Sequence, residues 1–269
     1  MYRAPQAAKI EAYTTPATMT YSSPLESLLN RPFNLGAVLK SNDISLEVQK
    51  HLVNVYAALA ATVLACALGA TADLWVHWGG LATMLAGFGA MMWLAFDQDK
   101  ENFSKRTGIL LLFGLLQGFS LGSLIDLVLR VDPAILVTAL LATTTVFVCF
   151  AGTALLAKRR AYLYLGGILS SGLMVLLAAS VLNLFMRSDF LLSVQLYAGL
   201  AIFCGYVIFD TQLIVEKAAQ GDRDFAWHAA ELFIDFIGIF VRICIILMRN
   251  RDQGRGSNKS ERSGRTARR

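Results

Sequence analysis

Charge is what this chain of 269 residues has least of: 16% is Asp, Glu, Lys or Arg, against 56% hydrophobic residues and a mean hydropathy of +0.54. Soluble domains carry about 25% charged residues, so a water-facing globule is excluded. Cysteine is scarce: Cys66, Cys149, Cys204 and Cys244 lie one each in separate apolar stretches. They lack the close spacing of a zinc site or a disulfide framework and read as packing residues. Of the three histidines, His51 and His77 fall at predicted membrane edges and His228 at the start of the last apolar stretch; a lone imidazole there is more often solvated or capping than a metal ligand. Four of the five prolines precede residue 50, and residues 1–50 have no long apolar core of a secretory signal. They read as a flexible polar leader kept in the mature chain, with the first spanning helix as targeting signal. No Gly/Ser-rich linker or repeat divides the apolar region, so one domain over 51–249 is expected, then a basic disordered tail over 250–269.

What the chain does have is apolar runs, at 52–72, 74–96, 107–129, 133–157, 162–186, 190–215 and 230–248. Each is near the ~20 residues a spanning helix needs. Barrel strands would alternate over ~10 residues, and Ile109-Leu110-Leu111-Leu112-Phe113 does not alternate. The expected fold is all-α, a polytopic membrane helical bundle of seven segments. Glycines 114, 118 and 122, four residues apart, form a small-residue stripe that lets two helices approach closely; Gly166, Gly167 and Gly172 read the same way.

Lys50, Lys100, Lys105, Arg106, Lys158, Arg159, Arg160, Lys217 and Arg223 fall in alternate loops. The rule that short basic loops stay cytoplasmic puts those loops and the N-terminus in the cytoplasm. Residues 249–269 hold eight basic and two acidic side chains. Seven full crossings would place that tail on the far side, against the same rule, whereas a seventh segment that dips in and returns would not. A tail of this kind is a solvated segment, or one that meets anionic lipid or a protein partner. Nucleic acid is excluded as a partner, for no base-reading module accompanies it.

The acids inside the apolar runs carry the chemistry. Asp210 and Asp235 lie on either side of the polar break at Gly221 and Asp222. Each is seven or so residues in from its helix end, ~10 Å at ~1.5 Å per residue, so both sit at one level. An ionisable group in lipid costs ~2.5–3.5 kcal/mol, faces a bundle interior and marks an ion or proton path. Two such carboxylates cannot both ionise cheaply, so they share a proton and titrate as a pair. That proton ties two helices, and its gain or loss would loosen the tie or charge the site. Calcium needs six to eight oxygens, so the pair suits a transient permeation site for calcium rather than a storage site. Arg242, in the last segment, is a candidate counter-charge.

Phe209-Asp210-Thr211-Gln212-Leu213-Ile214-Val215, Gly221-Asp222-Arg223-Asp224-Phe225-Ala226-Trp227-His228 and Leu232-Phe233-Ile234-Asp235-Phe236-Ile237, together with Lys158-Arg159-Arg160-Ala161-Tyr162-Leu163-Tyr164-Leu165-Gly166-Gly167, resemble the Bax inhibitor-1 (transmembrane Bax inhibitor motif) family over roughly residues 45–250. The resemblance implies a seven-helix fold with the last helix surrounded by the other six. It also implies residence in the endoplasmic reticulum, suppression of stress-induced cell death and a pH-dependent calcium leak, with no cofactor and no catalysis. The family's di-aspartate, which serves as ion path and pH sensor, maps onto Asp210 and Asp235. Bacterial relatives add an arginine on the second helix, but residues 74–96 contain neither Arg nor Lys, which leaves Arg242 as the substitute. Asp126, at the end of the third helix, is an accessory candidate for a vestibule. Two other readings compete. One is a membrane scaffold that binds apoptotic or lipid-modifying partners. The other is an intramembrane aspartyl protease, disfavoured because Phe209-Asp210 and Leu232-Phe233-Ile234-Asp235 do not resemble the Tyr-Asp and Gly-x-Gly-Asp pair of those enzymes.

Overall fold

Most helix starts among the described residues, those at Leu81 and Leu165 excepted, fall where a short polar side chain takes an orphan N–H. The computed structural model describes residues 45–97, 99, 102–157 and 160–266, with side chains through Arg251. Ser45 caps α1 (Leu46–Val76) by accepting from the Val48 N–H. The shorter α2 (Leu81–Phe96) follows, and Asn102 caps α3 (Phe103–Val131) by accepting from Lys105 N–H. Asp132 ends α3 and caps α4 (Pro133–Leu156), whose first residue is a proline that needs no N–H partner. Then come α5 (Leu165–Met186), α6 (Asp189–Ala219), capped by Ser188, and α7 (Phe225–Thr266). Asp224 caps α7 through the Trp227 N–H. Five of these, α1, α3, α4, α5 and α6, are long and apolar enough to cross a membrane, and α2 is apolar but shorter.

The second segment begins at Leu81 rather than 74 because α1 runs on to Val76. His77 then closes α1 in the left-handed region (φ 54°), and the Gly79 N–H donates to Asp73. At the other end of the chain, α7 is helical through Thr266; no proline interrupts 249–266. The leader assigned to 1–50 lies outside the described residues up to 44, and its last five residues belong to α1.

The last helix is central. It packs against α1, α2, α3, α4 and α6, while α5 leans on α6. Ala226, Ala229, Ala230, Leu232, Phe233, Phe236, Ile239, Phe240 and Cys244 of α7 are buried, whereas α5 buries only Leu169 and Leu176. Phe233 meets Phe113 of α3 and Phe236 meets Phe147 of α4, edge to face at 5.5 and 5.7 Å. Such pairs add about 0.5–1.5 kcal/mol beyond their burial. Cys66 and Cys204 are buried like Cys244, but Cys149 is exposed on α4.

The glycine stripe on α3 is a helix-packing device. A Cβ at Gly114 would lie 2.7 Å from the Thr62 carbonyl oxygen, and one at Gly118 would lie 2.0 Å from that of Cys66. Gly166 and Gly172 likewise face Phe209 and Ile202 of α6, but Gly167 faces open space. Gly118→Ala should therefore push α1 off α3 and lower the thermal midpoint in detergent, at a cost of about 1–3 kcal/mol or more. Gly152→Ala, where nothing lies within 4 Å, is the control and should not lower it.

Side-chain contacts fix which loops share an end of the bundle. Arg223 of the α6–α7 turn pairs with Glu47 of α1, Arg106 at the start of α3 with Asp224, and Arg160 with Glu216 near the end of α6. At the opposite end Arg251 of α7 pairs with Asp132 at the α3–α4 joint, and Arg249 donates to Ser193 near the start of α6. The seventh segment thus runs the full length of the bundle and does not double back.

Candidate functional site

Asp210 is nine residues before the end of α6 and Asp235 ten past the start of α7. At ~1.5 Å per residue that is ~14–15 Å from the turn, deeper than the expected ~10 Å because both helices run further toward each other. The two antiparallel helices bring the carboxyl groups into side-chain hydrogen-bonding contact. An ionised carboxylate can only accept, so a hydrogen bond between two carboxyl groups needs a proton on one of them. Asp210 is partly buried and Asp235 is 3% exposed. Asp235 Oδ2 is a buried oxygen with no hydrogen-bond partner.

Two charged neighbours complete the site, and the sequence reading missed both. Glu231, one turn from Asp235 on α7, acts electrostatically on both aspartates. Its Oε1 accepts from Lys217 Nζ at 3.3 Å and Trp227 Nε1 at 2.7 Å, and its Oε2 is buried without a partner. Lys217, seven residues along α6 from Asp210, is the cation that acts on Asp210. Helical spacing was the available signal: positions i+4 and i+7 share a face.

The accessory candidates lie elsewhere. Arg242 donates to the Gly238 carbonyl oxygen at 2.8 Å and sits 4.3 Å over the Phe203 ring, against Gly199. Among the described residues it has no ion pair, and it lies ~10 Å further along α7 than Asp235. Asp126 pairs with Arg130 of its own helix at 2.8 Å. About 30 Å of helix separates it from Arg106, whereas Asp235 is about 16 Å from Asp224, the partner of Arg106. Asp126 therefore sits well beyond the level of the acid pair. Among the described residues no group of three or more His, Cys, Asp and Glu is set to hold a metal ion.

Around the turn that carries the pair, polar side chains hold the helix ends. Arg106 is 1% exposed and donates to Asp224 at 2.6 Å, to the Asp97 carbonyl oxygen at 3.1 Å and to that of Leu94 at 3.4 Å. Buried Gln212 donates to the Ala154 carbonyl oxygen and accepts from the Tyr162 N–H, tying α6 to the α4–α5 connection. His51 and His228, expected to be solvated or capping, are buried and bonded to each other at 3.0 Å; their positions in the chain are 177 residues apart. Only His77 behaves as a cap.

At the α2–α3 joint, the hydrogen bond from Lys105 holds the Asp97 carboxyl below the usual carboxylate range. A carboxyl lowered on folding stabilises the fold above its unfolded value and loses that contribution as pH falls through the folded value. Lys105→Met should remove this step and leave a flatter acid limb in a melting-point titration. The change should be small, for the Lys105 end is exposed.

A bundle of apolar helices around one central helix, with an acid pair where that helix meets its hairpin partner, defines a multi-pass α-helical membrane protein with a polar site in its core. The family model for the inhibitor of apoptosis-promoting Bax1 matches residues 48–252, so the chain belongs to that family. It is 42% identical to Bax inhibitor 1 of Homo sapiens over 227 residues, covering 83% of this chain and 96% of that protein. It is 41% identical to Bax inhibitor 1 of Arabidopsis thaliana over 222 residues (82% and 90%) and 44% identical to that of Oryza sativa subsp. japonica over 229 residues (84% and 88%).

Proposed function

We propose that this protein suppresses stress-induced cell death from the endoplasmic reticulum membrane by acting as a pH-dependent calcium leak, gated by Asp210 and Asp235. The observation that carries the proposal is the contact between the two carboxyl groups, with Asp235 Oδ2 buried and unpartnered beside them. With one proton between them the acids tie α6 to α7 and carry a single negative charge. Loss of that proton leaves two like charges that repel and attract a cation; gain of a second removes the charge. The two carboxyl groups of Asp210 and Asp235 cannot supply the six to eight oxygens that calcium prefers, and Glu231 Oε1 is already engaged by Lys217 and Trp227, so water and backbone carbonyls supply the rest and the ion passes without being stored. The basic residues gathered at the α6–α7 end give that end, and with it the N-terminus, a cytoplasmic orientation. The role needs no cofactor and no catalysis; its partners are calcium, the lipid bilayer and proteins recruited by the basic tail.

Purified full-length protein in calcium-loaded vesicles should release calcium at a rate that changes between about pH 5 and about pH 8. Release no faster than from empty vesicles at every pH would reject the leak. Deleting residues 250–269 separates the leak from the scaffold reading: loss of cell protection with an intact leak would favour a scaffold.

A further inference from the structure

His51 lies near the start of α1 and His228 in the first turn of α7, and their rings meet edge-on with centroids 5.2 Å apart. His51 Nε2 and His228 Nδ1 are 3.0 Å apart, His228 is wholly buried, and its Nε2 has no partner. A hydrogen bond between two ring nitrogens needs one bearing a proton and one bare. When both rings are imidazolium no bare nitrogen remains, so two N–H groups and two charges face each other. His228 also sits in the first turn of α7, where the helix dipole opposes positive charge. Lys217 of α6 and Arg223 of the turn add to that opposition, while Asp222 and Asp224 act against it. Glu47 and Lys50 of α1 complete the set, with Glu47 engaged by Arg223. Asp224 is bound by Arg106 of α3. A groove of about 280 Å³, lined by Glu47, Lys50, His51, Asn54, Arg223 and Phe225, opens beside His51.

We propose that the His51–His228 pair is a proton-released latch, which pins the first helix to the start of the central helix and opens when both rings are charged. The released form binds more protons, so the latched form gains stability as pH rises and loses it as pH falls. Histidine is the side chain suited to such a change. The latch is separate from the acid pair: Asp235 lies seven residues beyond His228 along α7.

The chain has three histidines, which makes ¹⁵N-histidine NMR of the full-length protein in lipid nanodiscs a direct test. At about pH 7.5 the two rings should each show a bare nitrogen and share a coupling across the N–H···N bond. Toward about pH 4 both should become imidazolium in one joint step, and the coupling should vanish. Absence of the coupling at the higher pH, or titration of each ring by itself, would overturn the latch. In His228→Gln the remaining His51 should titrate as a lone ring; an unchanged His51 profile would also overturn it. Asp235→Asn should leave the histidine step in place, so that failure of the leak and failure of the latch are told apart. Because the first arm uses the natural sequence, a variant that does not fold leaves the test intact.

Discussion

Calcium efflux from proteoliposomes carrying Asp235→Asn should lose most of its dependence on pH between about pH 5 and about pH 8, and its rate should fall about tenfold or more. The reason lies in what the amide removes. Asparagine keeps the shape and still donates a hydrogen bond to Asp210, but it neither gains nor loses a proton between about pH 5 and about pH 8. Its oxygen also lacks the charge that draws a cation. A hydrogen bond to a charged group is worth about 1.5–3 kcal/mol, and each 1.4 kcal/mol is a factor of about ten. Asp210→Asn should flatten the profile in the same way, because a shared proton belongs to both groups and neither titrates alone. The two variants need not match in rate: Asp235 is buried on the central helix, while Asp210 is partly exposed on α6. A single variant that keeps the full pH response would show that its acid does not share the proton. If both variants pass calcium as the natural chain does, neither acid is on the ion path.

How much of this could be read from the residues alone depends on the range of the force that decides each feature. Spanning segments were readable because hydrocarbon demands ~20 apolar residues in a row, and the acid pair because a charge among them is costly enough to need a reason. Ser45 before Leu46 and Glu47 is an N-cap, yet α1 was expected to start several residues later. Glu231 and Lys217 stand at helical spacing from Asp235 and Asp210. Contacts between distant parts of the chain left no trace in sequence. His51 and His228 each look solitary, and Arg106 looks like one more basic residue at a membrane edge. The direction of α7 had the same cause: the basic tail argued for a segment that returns, and the Arg251–Asp132 and Arg249–Ser193 contacts show that it does not.

Arg106→Met should be the most damaging single change at the α6–α7 end of the bundle. The guanidinium is 1% exposed and joins three parts of the chain: the end of α2 through the Leu94 and Asp97 carbonyl oxygens, its own helix α3, and Asp224 at the head of α7. Methionine fills much of the same volume, so the loss is mainly of charge and donors. Removing one partner of a buried ion pair costs about 3–5 kcal/mol, because the other charge stays behind in a medium that solvates it poorly. Asp224 also caps α7 and precedes Trp227, His228 and Glu231; releasing it should let the first turn of the central helix fray. The measurable outcome is a large drop in thermal midpoint in detergent, together with faster amide exchange at residues 225–231. Asp224→Asn added to Arg106→Met should recover part of the stability, since the stranded charge is gone while the cap remains. If the double variant is as unstable as the two single losses added together, the two side chains do not act as a pair, and the helix ends are held by packing such as the Phe103–Phe225 stack at 4.5 Å instead.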